Sequence, residues 1–355
     1  MNLHKIVSQN IVYLQVNIPS FKLNNGLEMP AMGYGTWLGS GFNSRSLEFI
    51  SKDMDKFVDA LSYAVDVGYR NIDTAHLYRV EPEVGQVVSQ KIKDGVVKRE
   101  ELFITTKVWH HYHRFADVEK SVRESLKRMN LDYLDLVLIH WPMAITQDGV
   151  DEKIDYLETW RGFEAVLEKG LVKSIGVSNF NVDQLKRLLD NCKVKPVCNQ
   201  LEVNLNLGCN DMVSFCKQHH IQVVAYSAFG SLVASRAGAN TPEPKIDNPV
   251  MVAIASKHGK SVPQIVSRYM YQRGIVTIPK TITKSRIVEN ASIFDFQLEP
   301  ADMQQLARFD IGYRTCRPLW WQDYEHYPFE KITAPKLEIP LSLRKWKNGK
   351  NLDIE

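Results

Sequence analysis

The sequence predicts a parallel α/β fold, in which strands joined by helices lie side by side in one sheet or barrel. Strand-like and helix-like segments alternate along the chain, which is the usual pattern of such folds. Three strand-like runs end on a single titratable residue, namely Asp73, Lys107 and His140, and Tyr78 follows shortly after the first. Because parallel strands end on the same rim, we expect these four side chains to converge there.

A small hairpin over residues 21–32 opens the regular part of the chain, with its turn at Asn24-Asn25-Gly26. Strand-like runs follow near residues 32–36, 71–74, 102–107, 136–140, 174–178, 197–202, 222–227 and 276–279. Between them, apolar residues at helical spacing predict three buried helix faces: Phe57, Val58, Leu61, Ala64 and Val65; Val118, Val122 and Leu126; Leu185, Leu188 and Leu189. No repeat or linker divides the chain, so we expect a single domain over residues 21–355.

Three segments fall outside this alternation. We expect residues 1–20 to be a loosely attached arm rather than a targeting signal, because Gln15 and Asn17 interrupt the apolar run. Residues 39–52 make a long connection on the rim that carries the predicted site, where they would border its mouth. The tail, about residues 311–355, is aromatic and then basic, and we expect it to form a long C-terminal substrate loop.

Composition excludes several classes of protein. With 355 residues, 44% of them hydrophobic, the chain can bury a large core. A net charge of +3 gives no reason to expect nucleic acid, and no apolar run approaches the ~18 residues of a membrane span. The five cysteines are odd in number and scattered, as is typical of free thiols in a reducing compartment, so we expect a cytoplasmic protein.

The four rim residues suit the reduction of a carbonyl group. A phenol with a pKa of about 10 is a poor acid at neutral pH, so Tyr78 needs a nearby cation that favours the phenolate. Lys107 would supply that charge, Asp73 would hold the ammonium, and His140 would donate a hydrogen bond that orients the carbonyl oxygen. Since this set contains no metal ligand cluster and no nucleophilic serine or cysteine, we expect a cofactor to provide the hydride.

The motifs around these residues resemble those of the aldo-keto reductases. Residues 68–85 begin Gly-Tyr-Arg-Asn-Ile-Asp-Thr-Ala and end with Val-Gly, with Glu81 between them. Four further motifs follow in the family's order: Gly176-Val177-Ser178-Asn179-Phe180, Asn199-Gln200-Leu201-Glu202, Ala225-Tyr226-Ser227 and Ile278-Pro279-Lys280-Thr281. The resemblance covers residues 21–320. It implies a (β/α)8 TIM barrel closed at the bottom by the hairpin, an extended nicotinamide dinucleotide, and Tyr78 as general acid.

A cofactor site follows from this resemblance. Gly33-x-Gly35 does not open a Rossmann loop, because Leu38 stands where the third glycine is needed. Instead, the phosphates would lie near the last two strands, with Ser227, Phe229 and Ser231 along the pyrophosphate and Tyr226 stacked on the nicotinamide. The carboxamide would be fixed by Ser178, Asn179 and Gln200. The remaining cofactor contacts are expected from Gly35, Thr36, Trp37 and Asp73.

The choice between the two nicotinamide cofactors depends on charge after the last strand. Lys280, Thr281 and Arg286 resemble the family's pocket for the adenosine 2′-phosphate, and Glu289 and Asn290 would hold the adenine. Two cations and a hydroxyl suit a phosphate, so we predict NADPH/NADP+, with Lys284 adding positive charge. The alternative interpretation of this segment is a solvated basic helix start.

Three histidines occur in the run Trp109-His110-His111-Tyr112-His113. Metal binding is the minor interpretation, because no acid or cysteine accompanies them at ligand spacing. A substrate loop is the preferred interpretation. The resemblance then implies a wide, aromatic substrate pocket formed by Trp37, Leu77, Trp109, His110, His140, Trp141 and Trp320.

The resulting hypothesis is a monomeric, NADPH-dependent reductase of aldehydes or ketones, acting on aromatic or lipid aldehydes, sugar aldehydes or 3-keto steroids. A narrower alternative is a 3-oxo-ecdysteroid reductase, and an alternative from another class is an NADPH-binding sensor or structural barrel with little turnover.

Two departures from the family bear on loop shape near the site. Residues 199–204 lack the common His-Pro after their strand, and Arg79-Val80 replaces a common Gly-Asn.

Overall fold

The N-terminal segment contacts the domain through its last residues. A computed structural model describes residues 5–8, 11–39, 47–232, 241–333, 346–347 and 350–351. Its first strands, β1 (Lys5–Ser8) and β2 (Ile11–Leu14), pair in antiparallel fashion. Val16 then donates its backbone N–H to the carbonyl of Val67 at 2.8 Å, and Ile18 packs against the main core. Residues 16–18 of the expected arm are therefore attached to the domain.

The predicted hairpin is formed by β3 (Ser20–Lys22) and β4 (Glu28–Pro30). Gly26 lies in its turn at a φ of 89°, a conformation that favours glycine. Asn24 and Asn25 donate hydrogen bonds to the Pro196 carbonyl and the Ser174 hydroxyl, both at 2.9 Å. Other hairpin residues enter the apolar cluster inside the sheet. The hairpin therefore closes the bottom of the molecule, as expected.

Eight parallel strands are hydrogen-bonded in chain order. They are β5 (Tyr34–Gly35), β6 (Asn71–Asp73), β7 (Phe103–Val108), β8 (Leu136–Ile139), β9 (Ile175–Ser178), β10 (Cys198–Glu202), β11 (Gln222–Tyr226) and β12 (Val276–Thr277). Each lies within a predicted strand-like run, except that β7 extends one residue further, to Val108. The first and last strands also meet: Met32 bridges Thr277 in parallel, and Gly33 donates to the Thr277 carbonyl at 2.8 Å. The sheet is therefore closed, and the predicted (β/α)8 barrel is confirmed.

Helices surround the barrel and bury the predicted apolar faces. Phe57, Leu61, Val118, Val122 and Leu185 are each at most 1% exposed. The helices are α1 (Leu47–Asp66), α2 (Glu81–Lys93), α3 (Phe115–Met129), α4 (Tyr156–Glu168), α5 (Val182–Asn191), α6 (Asn210–Gln218), α7 (Pro249–His258), α8 (Val262–Gln272), α9 (Lys284–Ala291) and α10 (Pro300–Ala307). Within the described part of the chain, no helix is both long and apolar enough to cross a membrane.

Two segments differ from, or lie beyond, the sequence-based expectation. The connection predicted over residues 39–52 is shorter, because α1 already begins at Leu47. Residues 40–46 of that connection lie outside the described residues, as do residues 334–345 and 352–355 of the tail. A short antiparallel pair, β13 (Trp346–Lys347) and β14 (Lys350–Asn351), is described within that tail.

Candidate active site

Asp73 and Lys107 form a buried ion pair at the carboxyl ends of β6 and β7. Nζ of Lys107 donates to Oδ1 of Asp73 at 2.6 Å and to the Thr74 carbonyl at 2.9 Å. The Lys107 side chain is 0% exposed and that of Asp73 is 3% exposed. Burial lowers the pKa of Lys107, and Asp73 opposes this effect. The contact predicted between the two residues is therefore present.

Tyr78 lies beside this pair, on a 3-10 helix (His76–Tyr78) that follows β6. Nζ of Lys107 is 4.8 Å from the centroid of the Tyr78 ring. The Lys107 charge does not set the resting pKa of Tyr78, because burial raises that pKa well above 10 and the Asp73 carboxylate raises it further. The phenol is therefore protonated at neutral pH.

His140 directly follows β8 and faces both Tyr78 and Trp109. Its ring centroid is 5.8 Å from that of Tyr78 and 4.9 Å from that of Trp109. Burial, and then the nearby Lys107 charge, hold the pKa of His140 well below 6.5. The imidazole is therefore neutral at pH 7, and a neutral imidazole can donate one N–H hydrogen bond without bringing charge into the site.

The residues expected to fix a carboxamide are bonded to one another and to the rim. Nε2 of Gln200 donates to the second oxygen of Asp73 at 2.7 Å. Asn179 donates to the His140 carbonyl at 2.9 Å and accepts from the Tyr226 hydroxyl at 2.6 Å. Ser178 donates to the backbone carbonyl of Gln200 at 2.8 Å. The structure thus brings these predicted residues together around the Asp73 carboxylate, with their side-chain donors engaged by protein acceptors.

Two polar atoms in the predicted cofactor set are buried without a hydrogen-bond partner among the described residues. They are Oε1 of Gln200 and Oγ of Ser231, and Ser231 lies on the 3-10 helix Gly230–Leu232 after β11. Gly35 belongs to the same set, and a Cβ at this position would lie only 2.5 Å from the Ile278 carbonyl oxygen. The buried polar atoms of Gln200 and Ser231 need a hydrogen-bond partner. A dinucleotide, with its amide and phosphate groups, suits them.

The predicted phosphate and adenine residues lie just before α9 and along it. Lys280 and Thr281 follow β12, and Arg286 lies exposed on the helix. Glu289 accepts a hydrogen bond from the Ser261 hydroxyl. Lys284 differs from its expected role, because it pairs with Asp59 of α1 at 2.8 Å instead of adding an uncompensated charge.

Aromatic residues from the C-terminal loop pack with the predicted substrate residues in one apolar cluster. Leu77, Trp109 and Trp141 are buried in one apolar cluster with Trp321, while Trp37, Trp320 and Phe329 pack against it partly buried. The His110 ring lies between Trp109 and Trp321, at centroid distances of 4.2 and 4.5 Å, and its Nδ1 is 2.7 Å from the Met143 carbonyl. Trp321 and Met143 were not anticipated from the sequence. Trp321 adjoins a predicted residue, but the sequence could not show which of the two indoles faces the barrel.

A second network behind Tyr78 was also missed. Glu81 is 1% exposed and accepts from the Thr106 hydroxyl at 2.6 Å and from Nε of Arg128 at 2.7 Å. Arg128 also lies 3.0 Å from Nδ1 of His76, at the start of the 3-10 helix that carries Tyr78. The network joins that helix to β7 and α3. The place of Glu81 in the first motif was its only sequence signal.

Comparisons with known proteins agree with this geometry. The profile of the Aldo/keto reductase family matches residues 31–311. Aldo-keto reductase AKR2E4 of Bombyx mori is 42% identical over 315 residues, which cover 89% of this chain and 100% of that protein.

Solved structures are similar over nearly the whole chain. A crystal structure of the aldo-keto reductase AKR2E5 of the silkworm, Bombyx mori, is 63% identical with a TM-score of 0.89, and a structure of AKR2E5 complexed with NADPH has a TM-score of 0.90. Each alignment covers 94% of this chain and 100% of the silkworm chain. On the family match, the identity and the shared barrel, this chain belongs to the aldo/keto reductase family of oxidoreductases.

Proposed function

We propose that the protein reduces aldehydes or ketones to alcohols with NADPH, and that Tyr78 is the general acid. The observation that carries this proposal is the convergence of Tyr78, Lys107, Asp73 and His140 on one rim of the barrel, with Lys107 and Asp73 joined at 2.6 Å. When bound, NADPH supplies the hydride. The protein must then orient the carbonyl group and deliver one proton to its oxygen.

Tyr78 and His140 are suited to these two tasks. The raised pKa of Tyr78 keeps the proton on the phenol until an alkoxide, a much stronger base, develops beside it. The neutral His140 imidazole donates to the carbonyl oxygen and so orients it for attack. The Lys107 ammonium, at 4.8 Å from the Tyr78 ring, favours the phenolate as the proton leaves. Asp73 holds Lys107 at that distance.

The cofactor is held by the rim from β9 to the start of α9. The buried Oε1 of Gln200 suits the N–H donors of a carboxamide, the Ser231 hydroxyl can donate to the pyrophosphate, and Tyr226 offers a flat ring for stacking. Lys280 and Arg286 provide the cations that suit a 2′-phosphate, which favours NADPH over NADH. The crystallised complex of AKR2E5 with NADPH supports the same choice.

The pocket favours aromatic or extended apolar carbonyl compounds. Trp109, Trp141 and Trp321 are each at most 6% exposed and form its apolar wall. An aryl or lipid aldehyde, or a 3-keto steroid, would bury apolar surface against these rings, whereas a sugar aldehyde would leave hydroxyl groups without partners. A 3-oxo-ecdysteroid remains the narrower candidate substrate.

We also propose a monomer in the cytoplasm. All five cysteines are free, in agreement with a reducing compartment. Light scattering of the purified protein and fractionation of the cells that express it test these two points separately.

The test is the loss of NADPH absorbance with a panel containing a nitrobenzaldehyde, a sugar aldehyde, a long-chain enal and several 3-keto steroids, with NADH in parallel. Turnover with NADPH, and much less with NADH, is the expected result. The steepest preference within the panel identifies the substrate class. If NADPH binds, as seen by fluorescence quenching, but no compound is reduced, the proposal is wrong and a cofactor sensor becomes the better account.

A further inference from the structure

We propose that Glu202 is a positioning residue that tethers the C-terminal loop and thereby sets which substrates fit the pocket. This inference rests on the proposed function, since it concerns the same pocket. Glu202 ends β10 and is 0% exposed, on the same face of its strand as Gln200. Among the described residues, Glu202 is hydrogen-bonded to none of the four predicted catalytic residues.

Both oxygens of the Glu202 carboxylate accept hydrogen bonds from the loop. Oε1 accepts from the Thr315 backbone N–H at 2.8 Å and from the Thr315 hydroxyl at 2.5 Å, and Oε2 accepts from the Cys316 backbone N–H at 2.8 Å. The residues are more than 110 positions apart in sequence. Because the Glu202 carboxylate is buried and its three bonds to the loop are charge-assisted, the contact fixes the loop strongly. We call this set of bonds the Glu202 tether.

A further hydrogen bond to the Glu202 carboxylate comes from its own strand end. Asn204, where the family often has histidine, donates through Nδ2 to Oε1 of Glu202 at 3.1 Å. Its own Oδ1 accepts from the Asn206 backbone N–H at 2.9 Å. The Asn206 carbonyl in turn accepts from the N–H of Tyr313 at 2.9 Å. The end of β10 and the loop after it are therefore joined to the start of the C-terminal loop at two places, Glu202 and Asn206.

The far end of the loop is attached to α5. Gln184 donates to the His326 carbonyl at 2.8 Å and Asn181 donates to the Pro328 carbonyl at 3.1 Å. Residues 317–325, between these bonds and the Glu202 tether, carry the 3-10 helix Leu319–Trp321. Trp321 there lies 4.5 Å from the His110 ring and 6.1 Å from Trp109. A change at Glu202 therefore moves one wall of the pocket without touching the reacting groups.

The consequence is a size-dependent effect on catalysis. A small aldehyde that reaches only Tyr78, His140 and the cofactor does not need the loop wall, whereas a longer one presses against it. In Glu202→Gln the amide keeps the shape of the side chain but replaces one acceptor by an N–H group that faces backbone N–H donors. Losing a charge-assisted bond there should lower kcat/KM about tenfold for the longer substrate, with little change for the small one.

The experiment uses the full chain with saturating NADPH. Two aldehydes of different length, 4-nitrobenzaldehyde and biphenyl-4-carbaldehyde, give a ratio of kcat/KM for wild type, Glu202→Gln and Thr315→Val, which removes only the hydroxyl donor. Their different intrinsic reactivity is the same for every variant, so it cancels when the ratios of the variants are compared. Hydrogen–deuterium exchange of the peptides over residues 312–333 is measured on the same samples. Asp302→Asn is the matched control, because that carboxylate is also buried and accepts from Glu299, Lys257 and His258, between α7 and α10.

We expect Glu202→Gln to shift the ratio against the biphenyl aldehyde and to speed exchange over residues 312–333, Thr315→Val to do so more weakly, and Asp302→Asn to do neither. An unchanged ratio in a folded Glu202→Gln overturns the specificity role, and unchanged exchange overturns the tether itself. Should Glu202→Gln not fold, Thr315→Val decides by the same two readouts. If wild type reduces neither aldehyde, the proposed function fails, whereas the exchange data still decide the tether.

Discussion

The Lys107 ammonium faces the ring of Tyr78 at 4.8 Å from its centroid, while its strongest bond is made to Asp73 at 2.6 Å. The cation is thus close enough to stabilise a Tyr78 phenolate. It is also paired with the Asp73 carboxylate, which destabilises that phenolate. Burial and the Asp73 charge keep the phenol protonated, as the raised pKa of Tyr78 indicates. The site holds its proton until a stronger base is formed.

The Asp73–Lys107 pair makes a prediction about both stability and turnover. In Asp73→Asn, Lys107 keeps its carbonyl partner but loses its buried counter-charge, so the free energy of unfolding should fall by about 3 kcal/mol. Turnover should fall as well, because Lys107 and Gln200 both lose their fixed partner. Urea denaturation and NADPH oxidation measure the two effects.

The control for this prediction is Asp66→Asn, which breaks a similar 2.6 Å pair with Lys91 away from the rim. It should lower stability and leave turnover per folded molecule unchanged. Full turnover in Asp73→Asn would show that the pair has no part in the reaction.

Gly85 in the first motif has a packing role that predicts a strong effect on folding. A Cβ there would lie 2.2 Å from the carbonyl oxygen of Met129, at the end of α3. Because the neighbour is backbone, Gly85→Ala must push α2 away from α3, and we expect a loss of at least about 2 kcal/mol in unfolding free energy. Ser89→Ala, on the exposed side of α2, is the control and should change stability little. Equal stability of the two variants would contradict the close approach.

Four buried histidines predict loss of stability in mild acid. Burial lowers the pKa of His76 and of His110 to about 3, and lowers the pKa values of His113 and His140 well below 6.5. Below about pH 6.5 the unfolded chain therefore binds more protons than the folded one, so stability falls as the pH falls. Each group contributes a slope of about 1.4 kcal/mol per pH unit in that range. Thermal melts between about pH 7.5 and pH 5, which span the ordinary histidine pKa, measure this slope.

A variant separates the histidines from other acid effects. Both ring nitrogens of His113 are buried without a hydrogen-bond partner in the described chain. His113→Leu should therefore be tolerated. It should also reduce the pH dependence of the unfolding free energy by the contribution of one histidine, about 1.4 kcal/mol per pH unit. A melting temperature that stays constant down to pH 5 in the wild type, roughly 1.5 units below the ordinary pKa, would contradict neutral burial.

Local sequence patterns predicted the parallel strands and the rim, and the family resemblance predicted the barrel. Each predicted strand run overlaps one observed strand, because apolar, β-branched runs bounded by turns have few other stable arrangements. Asp73, Lys107 and His140 could be placed together because parallel strands end on one rim. The hydrogen bond between Lys107 and Asp73 could be predicted for the same reason.

Contacts between distant segments could not be predicted in this way. Glu202 meets Thr315 across 113 positions, and Lys284 meets Asp59 across 225. Nothing in the local pattern of either residue indicates its partner. The raised pKa of Tyr78 could not be predicted for a related reason, since it depends on the burial of the phenol in the folded chain.

The most direct test of the account is Tyr78→Phe, which removes only the phenolic hydroxyl. NADPH binding, followed by fluorescence quenching, should match that of wild type, because the residues proposed to hold the cofactor are unchanged. Turnover of the best substrate should fall at least about 100-fold, since the proton donor is lost. Near-normal turnover with normal NADPH binding would contradict the assignment of Tyr78 as the general acid.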